Sequence, residues 1–219
     1  MLVTLFALAI IILNTAGVNK RCEGDDNLKY LKAKNFDNLN ALPISFKSDK
    51  QQTLNGFLYS SAKVDAYKGL IVFSHGMGAG HLAYTTEINY LAQKGYIVLA
   101  YDNTGTCTSE GKKIKGFAQG IIDLKYALDF VKTRDDLKDL SVLLVGHSWG
   151  AYSVSNVSAL NPSVEIKGIV AFSPLTLRFF TKDGTRTLNI NPFSAFTVYL
   201  NSFLKGYSVS ILIYLSSVL

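Results

Sequence analysis

The segment VLLVGHSWGAYSVSNV, residues 142–157, decides the fold because it joins a buried strand to a helix through a single serine. Its first four residues, 142–145, are all apolar and predict a strand that is buried on both faces. The glycines two positions before and after Ser148 allow the strand and the following helix to pass close together through a tight turn. Such a turn lifts the serine hydroxyl out of the sheet, so Ser148 is the candidate catalytic nucleophile.

Short apolar runs alternate with stretches of helical periodicity through the rest of residues 40–173, the predicted core. They predict strands at 54–59, 70–73, 96–101 and 166–172, and helices at 86–94, at 117–131 and from 151 onwards. This order is typical of an α/β domain with a doubly wound, mostly parallel sheet covered by helices on both faces. The polar, lysine-rich residues 22–40 are expected to be a linker or an amphipathic lead-in helix.

A second glycine-rich turn, HGMG at residues 75–78, follows the apolar run at 70–73. In parallel sheets the working residues lie just beyond the carboxyl ends of the strands, where this turn and Ser148 are both expected. The backbone N–H groups of Met77 and Trp149 are the candidate donors of an oxyanion hole. The four glycines of the two turns and the histidine that begins the first turn are assigned a structural role in the loops: His75, Gly76, Gly78, Gly146 and Gly150.

Three motifs in order, HGMG at 75–78, YDNTG at 101–105 and GHSWG at 146–150, resemble the α/β-hydrolase superfamily. The resemblance is closest to the branch of serine aminopeptidase-like and monoglyceride lipase-like hydrolases, and it covers roughly residues 53–173. It implies an α/β-hydrolase fold and hydrolysis of a carboxylic ester or amide through an acyl-enzyme on Ser148. The implied substrate is a small-molecule or lipid-like acyl compound, and neither a cofactor nor a metal is implied.

One departure from the family lies in the loop after YDNTG. Members of the family often have glycine where this chain has Cys107. Cysteine is unfavourable where φ is positive, so we expect an unusual geometry in this loop. Asp102, at the end of a predicted strand, is interpreted as a turn residue that binds the backbone.

The larger departure is the missing base, because the family places its acid and then its histidine after the serine. This sequence has three histidines, His75, His81 and His147, and all of them precede Ser148. We therefore expect weak or absent turnover, with a small allowance for His81 or His147 as a substitute base. The alternative is a non-catalytic, membrane-associated binding protein or fragment that retains the hydrolase scaffold.

The acids that follow the serine do not supply an obvious triad member. Glu165 precedes a predicted strand and is expected at the wrong edge of the sheet. Asp183 is followed by glycine and is interpreted as a turn residue. The identity of the triad acid therefore stays open.

The composition describes one domain of 219 residues, with 48% hydrophobic and 17% charged residues. The net charge of +6 is not concentrated in a basic helix with interleaved aromatics, so a nucleic-acid partner is not expected. The two cysteines, Cys22 and Cys107, lack zinc-site spacing. A disulfide between them is an option in an exported chain, although their spacing does not demand it.

The two ends of the chain carry the remaining expectations. An apolar run from Leu2 to Leu13 predicts that residues 1–21 are a signal peptide or an N-terminal membrane anchor, and hence an exported or anchored protein. Residues 174–219 form an atypical apolar tail without clear alternation of strands and helices. The hydrolase sheet is therefore expected to be incomplete at its C-terminal end, and the apolar ends favour membrane contact.

Overall fold

The computed structural model describes residues 20–25 and 29–174 of the chain. Within these ranges a single mixed sheet of six strands has the order β1-β2-β4-β3-β5-β6. The strands are β1 (Leu39–Lys47), β2 (Thr53–Ser61), β3 (Gly69–Ser74), β4 (Tyr96–Tyr101), β5 (Val142–His147) and β6 (Ile166–Phe172). The helices are α1 (Thr85–Gln93), α2 (Phe117–Thr133) and α3 (Trp149–Asn156).

The four strands from β3 to β6 pair in parallel, which confirms the mostly parallel sheet. Their apolar residues are buried because helices cover both faces. On one face α1 contributes Ile88 and Ala92 to the core. On the other face α2 and α3 contribute residues such as Leu124, Leu128 and Val154. The doubly wound α/β-hydrolase architecture is therefore confirmed.

The strand predicted at 54–59 is antiparallel to its neighbours, and an unpredicted strand precedes it. Residues Leu39–Lys47 form β1, which pairs with β2 as a hairpin. The expected lead-in helix at 22–40 is represented, within the described residues, only by a 3₁₀ turn at Ala33–Asn35. The signal for β1 was weak because Pro43 interrupts it, and proline is tolerated here because β1 is an edge strand.

Several sequence predictions lie outside the described residues, including the apolar run Leu2–Leu13 and the tail from 175 onwards. At the other edge of the described sheet, β6 leaves Ile169, Val170 and Phe172 between 43% and 57% exposed. None of the helices in ranges 20–25 and 29–174 has the length and hydropathy needed to cross a bilayer. The expected C-terminal incompleteness stays a prediction.

Candidate active site

Ser148 occupies a strained turn between β5 and α3. Its backbone has φ 54° and ψ −111°, a combination that residues other than glycine rarely adopt. The serine is half-buried, and its N–H donates to the carbonyl of Phe172 at 2.9 Å. That bond extends the pairing of β5 with β6 and fixes the turn at the carboxyl end of the parallel strands.

The two glycines of the turn are required by close backbone contacts. A Cβ atom on Gly150 would lie 1.9 Å from the carbonyl oxygen of Ser74 on β3. A Cβ atom on Gly146 would lie 2.4 Å from the carbonyl oxygen of Gly150. Both distances are far below van der Waals contact, so helix α3 can approach the sheet this closely only with glycine at these positions.

Trp149 is the first residue of α3 and is fully buried. Its indole N–H donates to the carbonyl of Phe117 at 2.9 Å, and its ring meets the His75 ring edge-on at 6.0 Å between centroids. The backbone N–H of Trp149 has no acceptor within its own helix, because the first amides of a helix lack a preceding carbonyl. It is therefore a donor available at the turn that carries Ser148.

The loop that contains Met77 lies against the serine turn through Tyr84. The Gly76 N–H donates to the Tyr84 hydroxyl at 3.0 Å, and that hydroxyl lies 2.8 Å from His147 Nδ1. A hydroxyl that accepts from an amide can donate its own proton to an imidazole nitrogen. A Cβ atom on Gly76 would lie 2.7 Å from this hydroxyl and 3.2 Å from His147 Nδ1. Tyr84 could not be predicted as a site residue, because its contacts arise from three segments that meet only in the fold.

His75 acts as a buried brace beneath the same loop. Its Nδ1 lies 2.8 Å from the carbonyl oxygen of Gly76, and its Nε2 accepts the N–H of Asn103 at 3.0 Å. This pattern requires a neutral ring with the proton on Nδ1. Burial lowers the pKa of His75, which agrees with a neutral imidazole. Both ring nitrogens are thus occupied, and neither serves Ser148.

His81 pairs with Asp102, a contact that the sequence reasoning missed. Asp102 follows β4, and its Oδ1 accepts from His81 Nδ1 at 2.8 Å and from the His81 N–H at 2.9 Å. Its Oδ2 accepts from the Thr108 N–H at 3.1 Å and from the Thr108 hydroxyl at 2.6 Å. The side chains of His81 and Asp102 are each only 1% exposed. Asp102 therefore binds the backbone, as its position suggested, but also orients an imidazole.

The electrostatics of this pair favour an ionised carboxylate. Burial by itself raises the pKa of Asp102, but the hydrogen bond and the attraction of His81 outweigh it. The hydrogen bond from Thr108 lowers it further. The pKa of Asp102 consequently lies well below its usual range.

The His81–Asp102 pair does not reach the serine. Asp102 ends β4, which is separated from β5 by β3, so two inter-strand spacings, about 10 Å, lie between the ends of these strands. The His81 ring lies beside Phe57 and Tyr59 of β2, at 5.6 and 6.2 Å between centroids, and β2 is on the opposite side of β4 from β5.

The remaining candidates have distinct positions. Cys107 has φ 37°, so a cysteine occupies the left-handed conformation that glycine favours. Glu165 precedes β6 at the amino-terminal edge of the parallel strands, opposite Ser148, and pairs with Lys167. Asp183 lies outside the described residues. No cluster of three or more His, Cys, Asp or Glu side chains suited to a metal occurs in the described part of the chain.

The arrangement brings together one strained serine, an amide donor at the start of α3 and a glycine-rich loop packed against the serine turn. His147, next to Ser148 in the chain, is exposed, whereas His75 beneath the loop is buried. The Nδ1 of His147 is held by Tyr84, so Nε2 is the nitrogen left to face solvent. Chemically, the site can present a hydroxyl nucleophile and backbone donors for a developing negative charge.

Comparison with known sequences places the chain in a family. The model of the family described as serine aminopeptidase, S33, matches residues 65–191, more than half of the chain. The monoglyceride lipases of Rattus norvegicus and Mus musculus are 30% and 31% identical to it over 112 residues. Each alignment covers 50% of this chain and 36% of the lipase, so the chain matches little more than a third of these relatives.

Solved structures agree on the fold. An esterase of Pyrococcus furiosus superposes with a TM-score of 0.63 and 20% identity, over 84% of this chain and 69% of the esterase. Brefeldin A esterase, described as a bacterial homologue of human hormone-sensitive lipase, superposes with a TM-score of 0.61 and 18% identity, over 83% of this chain and 56% of the esterase. The chain belongs to the serine aminopeptidase S33 family and has the α/β-hydrolase fold.

Proposed function

We propose that this protein is a serine hydrolase that attacks a carboxylic ester or amide and forms an acyl-enzyme on Ser148. The observation that carries the proposal is the backbone of Ser148, held at φ 54° and ψ −111° between β5 and α3. Strain of this kind costs about 1–3 kcal/mol and persists where the surrounding structure holds it in place. Here the close packing of α3 on the sheet, which glycine at positions 146 and 150 allows, holds the turn in place.

The backbone amides of Met77 and Trp149 are the proposed oxyanion donors. Loss of one such donor typically reduces turnover by about 10²–10³-fold. Trp149 is held by its indole bond to Phe117, and the loop of Met77 is held by the bond between Gly76 and Tyr84. These two bonds support the proposal that both donors are in place before any substrate arrives, which is the condition for electrostatic stabilisation of a transition state.

Turnover is proposed to be slow because the described site lacks a well-placed base. His75 uses both ring nitrogens in the structure, and His81 is committed to Asp102. No histidine follows Ser148 in this sequence. Serine hydrolases without a functioning triad retain roughly 10³–10⁴-fold catalysis over water, from the oxyanion hole and from binding. We infer residual activity of this order, with His147 Nε2 as the nearest proton acceptor by chain position.

A small-molecule or lipid-like acyl ester is the proposed substrate class. The curated relatives are named monoglyceride lipases, and the structural neighbours are named esterases. Export or membrane anchoring is proposed on the apolar run Leu2–Leu13, and contact with a membrane would bring such substrates close.

The test is labelling of the full chain with a fluorophosphonate probe, which reacts with activated serines. We expect slow labelling that Ser148→Ala abolishes and that Ser155→Ala, a change at a half-buried serine of the same helix, leaves intact. Labelling that persists in Ser148→Ala would contradict the proposed nucleophile.

A second function is favoured by the commitment of His75 and His81 to structural bonds. The chain would then be a non-catalytic, membrane-associated protein that retains the hydrolase scaffold for binding. Folded protein that does not label, even over long incubation, would support this function over catalysis. The emission of the single tryptophan, Trp149, reports on folding in the same sample.

A further inference from the structure

The segment that contains Cys22 lies alongside the loop that contains Cys107, although 84 residues separate them in the sequence. Cys22 forms an isolated parallel bridge with Thr106. Its N–H donates to the carbonyl of Gly105 at 2.9 Å, and its carbonyl accepts the N–H of Cys107 at 2.7 Å. Two backbone hydrogen bonds therefore hold Cys22 opposite Thr106, one residue away from Cys107.

Arg21 reinforces this contact from the adjacent position. Its guanidinium donates to the carbonyls of Ser109 at 2.8 Å and Gly111 at 2.9 Å, and it also donates to the carbonyl of Cys107. One side chain thus holds three carbonyls of the same loop. A guanidinium with five donors in a fixed plane is suited to such a clamp. The segment is docked by several independent bonds, so the proximity of the cysteines does not depend on one contact.

The spacing is compatible with a disulfide. A hydrogen bond of 2.7 Å from the Cys107 N–H to the Cys22 carbonyl keeps their Cα atoms no more than about 6 Å apart. Bridged cysteines usually have Cα atoms about 4.4–6.8 Å apart. Both thiols are free in the structure and half-buried, so a small oxidant can approach them.

We propose that Cys22 and Cys107 form an intramolecular disulfide when the protein meets a low-molecular-weight disulfide such as oxidised glutathione. In the first step the Cys22 thiolate attacks the small disulfide, forms a mixed disulfide and releases one small thiol. In the second step the Cys107 thiolate attacks the Cys22 sulfur, forms the protein disulfide and releases the second small thiol. Two protein thiols are oxidised and one small disulfide is reduced, so electrons balance, and the two protons lost by the protein thiols are taken up by the two released small thiols.

The order of the steps follows from the surroundings of Cys107. Burial raises the pKa of the Cys107 thiol to about 12, and the negative charge of Asp102 adds to the effect, as do Cys22 and Glu23, whereas Arg21 opposes it. A thiol with so high a pKa is a thiolate only rarely at neutral pH, and the thiolate is the attacking species. Cys22 therefore reacts first, and closure by Cys107 is the slow step.

The bond would join residues 20–25 to the loop that surrounds Asp102. Since Asp102 binds His81 and Thr108, the disulfide would constrain the polar cluster at the end of β4 and leave the serine turn unaltered. The disulfide would form whether or not Ser148 is catalytic.

The test uses the full wild-type chain, incubated natively with oxidised glutathione for hours, then quenched with acid and measured by intact-mass spectrometry without reductant. We expect loss of two hydrogen masses, a crosslinked peptide containing Cys22 and Cys107, and a melting temperature raised by several degrees. Cys107→Ser should instead stop at a single glutathione adduct on Cys22.

Two results would overturn the proposal: two thiols that both remain alkylatable after oxidation, or a wild-type protein that keeps its glutathione adduct on Cys22 without closing. Oxidation of the urea-unfolded chain is the control, since it shows that both cysteines can react when the fold is absent.

Discussion

The carboxyl ends of β5 and β4 lie at the same edge of the sheet but hold opposite kinds of site. At the end of β5, Ser148 is strained and half-buried, and His147 beside it is exposed. At the end of β4, Asp102 and His81 are almost wholly buried, and both carboxylate oxygens are bonded. The serine turn stores strain, whereas the Asp102 site supplies stabilising contacts.

This difference shows that a serine turn and a His–Asp pair can lie at the same edge of one sheet without meeting. The imidazole and carboxylate that base catalysis needs are both present, but β3 lies between them and the serine. Geometry precedes pKa in identifying a general base. The His81–Asp102 pair is therefore a structural feature of the loop, and its removal should affect folding more directly than chemistry.

The largest expected effect on stability comes from adding a methyl group at the serine turn, where there is no space for one. In Gly150→Ala, the new methyl group would lie 1.9 Å from the carbonyl oxygen of Ser74, a backbone atom fixed within the sheet. We expect the free energy of unfolding to fall by about 4 kcal/mol or more, in the range that marks severe overpacking. Urea unfolding followed by Trp149 fluorescence measures the change.

Gly78→Ala is the control for that substitution. Gly78 has φ 85°, but a Cβ atom there would meet nothing within 4 Å. The free energy of unfolding should therefore fall only by the cost of a left-handed conformation at an alanine, about 1–2 kcal/mol. Equal losses in the two variants would show that α3 does not pack against β3 as closely as the structure has it.

The next effect concerns the carboxylate at β4. Asp102→Asn removes the charge that faces His81, and loss of one partner of a buried pair typically costs about 3–5 kcal/mol. Because the pKa of Asp102 is lowered in the fold, its stabilising contribution is present above the pKa of the unfolded carboxyl, about 4, and is lost as pH falls. Unfolding free energies measured across the acid range should fall less steeply in the variant than in wild type.

Asp123 provides the matched comparison, because it is also fully buried and accepts from the Thr104 N–H at 2.7 Å. Burial raises its pKa despite hydrogen bonds from Ser48, Gln119 and Thr104, so its contribution is greatest at low pH and is lost as pH rises through the folded pKa. In wild type, this group makes the free energy of unfolding fall as pH rises, which is opposite to the effect of Asp102. Asp123→Asn should remove that fall. The same pH slope in both variants would contradict the assigned environments.

The smallest effect should be a gain in stability. Ser148→Gly relieves the strain of φ 54°, so we expect the free energy of unfolding to rise by about 1 kcal/mol while probe labelling disappears. Ser155→Gly, in the last turn of α3, should instead lower it by about 0.5 kcal/mol, because glycine is less favourable than serine within a helix. A loss of stability in Ser148→Gly would mean that the turn is not strained.

Much of the fold could be predicted because its signals are local. The apolar runs at β3, β4, β5 and β6 and the glycines around Ser148 identify strands and a turn within a few residues of chain. The antiparallel hairpin was not foreseen, because β1 alternates buried and exposed residues around Pro43 and shows no continuous apolar run. The parallel partner that covers each strand was inferred from the alternation of elements rather than from any single residue.

The site shows the same division. The sequence by itself determined the candidate nucleophile, the two glycine-rich turns and the position of every histidine before Ser148, since these depend only on residue identity and local order. Only the tertiary structure decided that His81 binds Asp102, that Tyr84 joins Gly76 to His147, and that Cys22 lies beside Cys107. Each of these contacts joins segments that are distant in the sequence and are brought together by the strand order β1-β2-β4-β3-β5-β6 or by the docking of the N-terminal segment. This arrangement is selected by the burial of apolar faces, which acts over the whole domain and not between neighbouring residues.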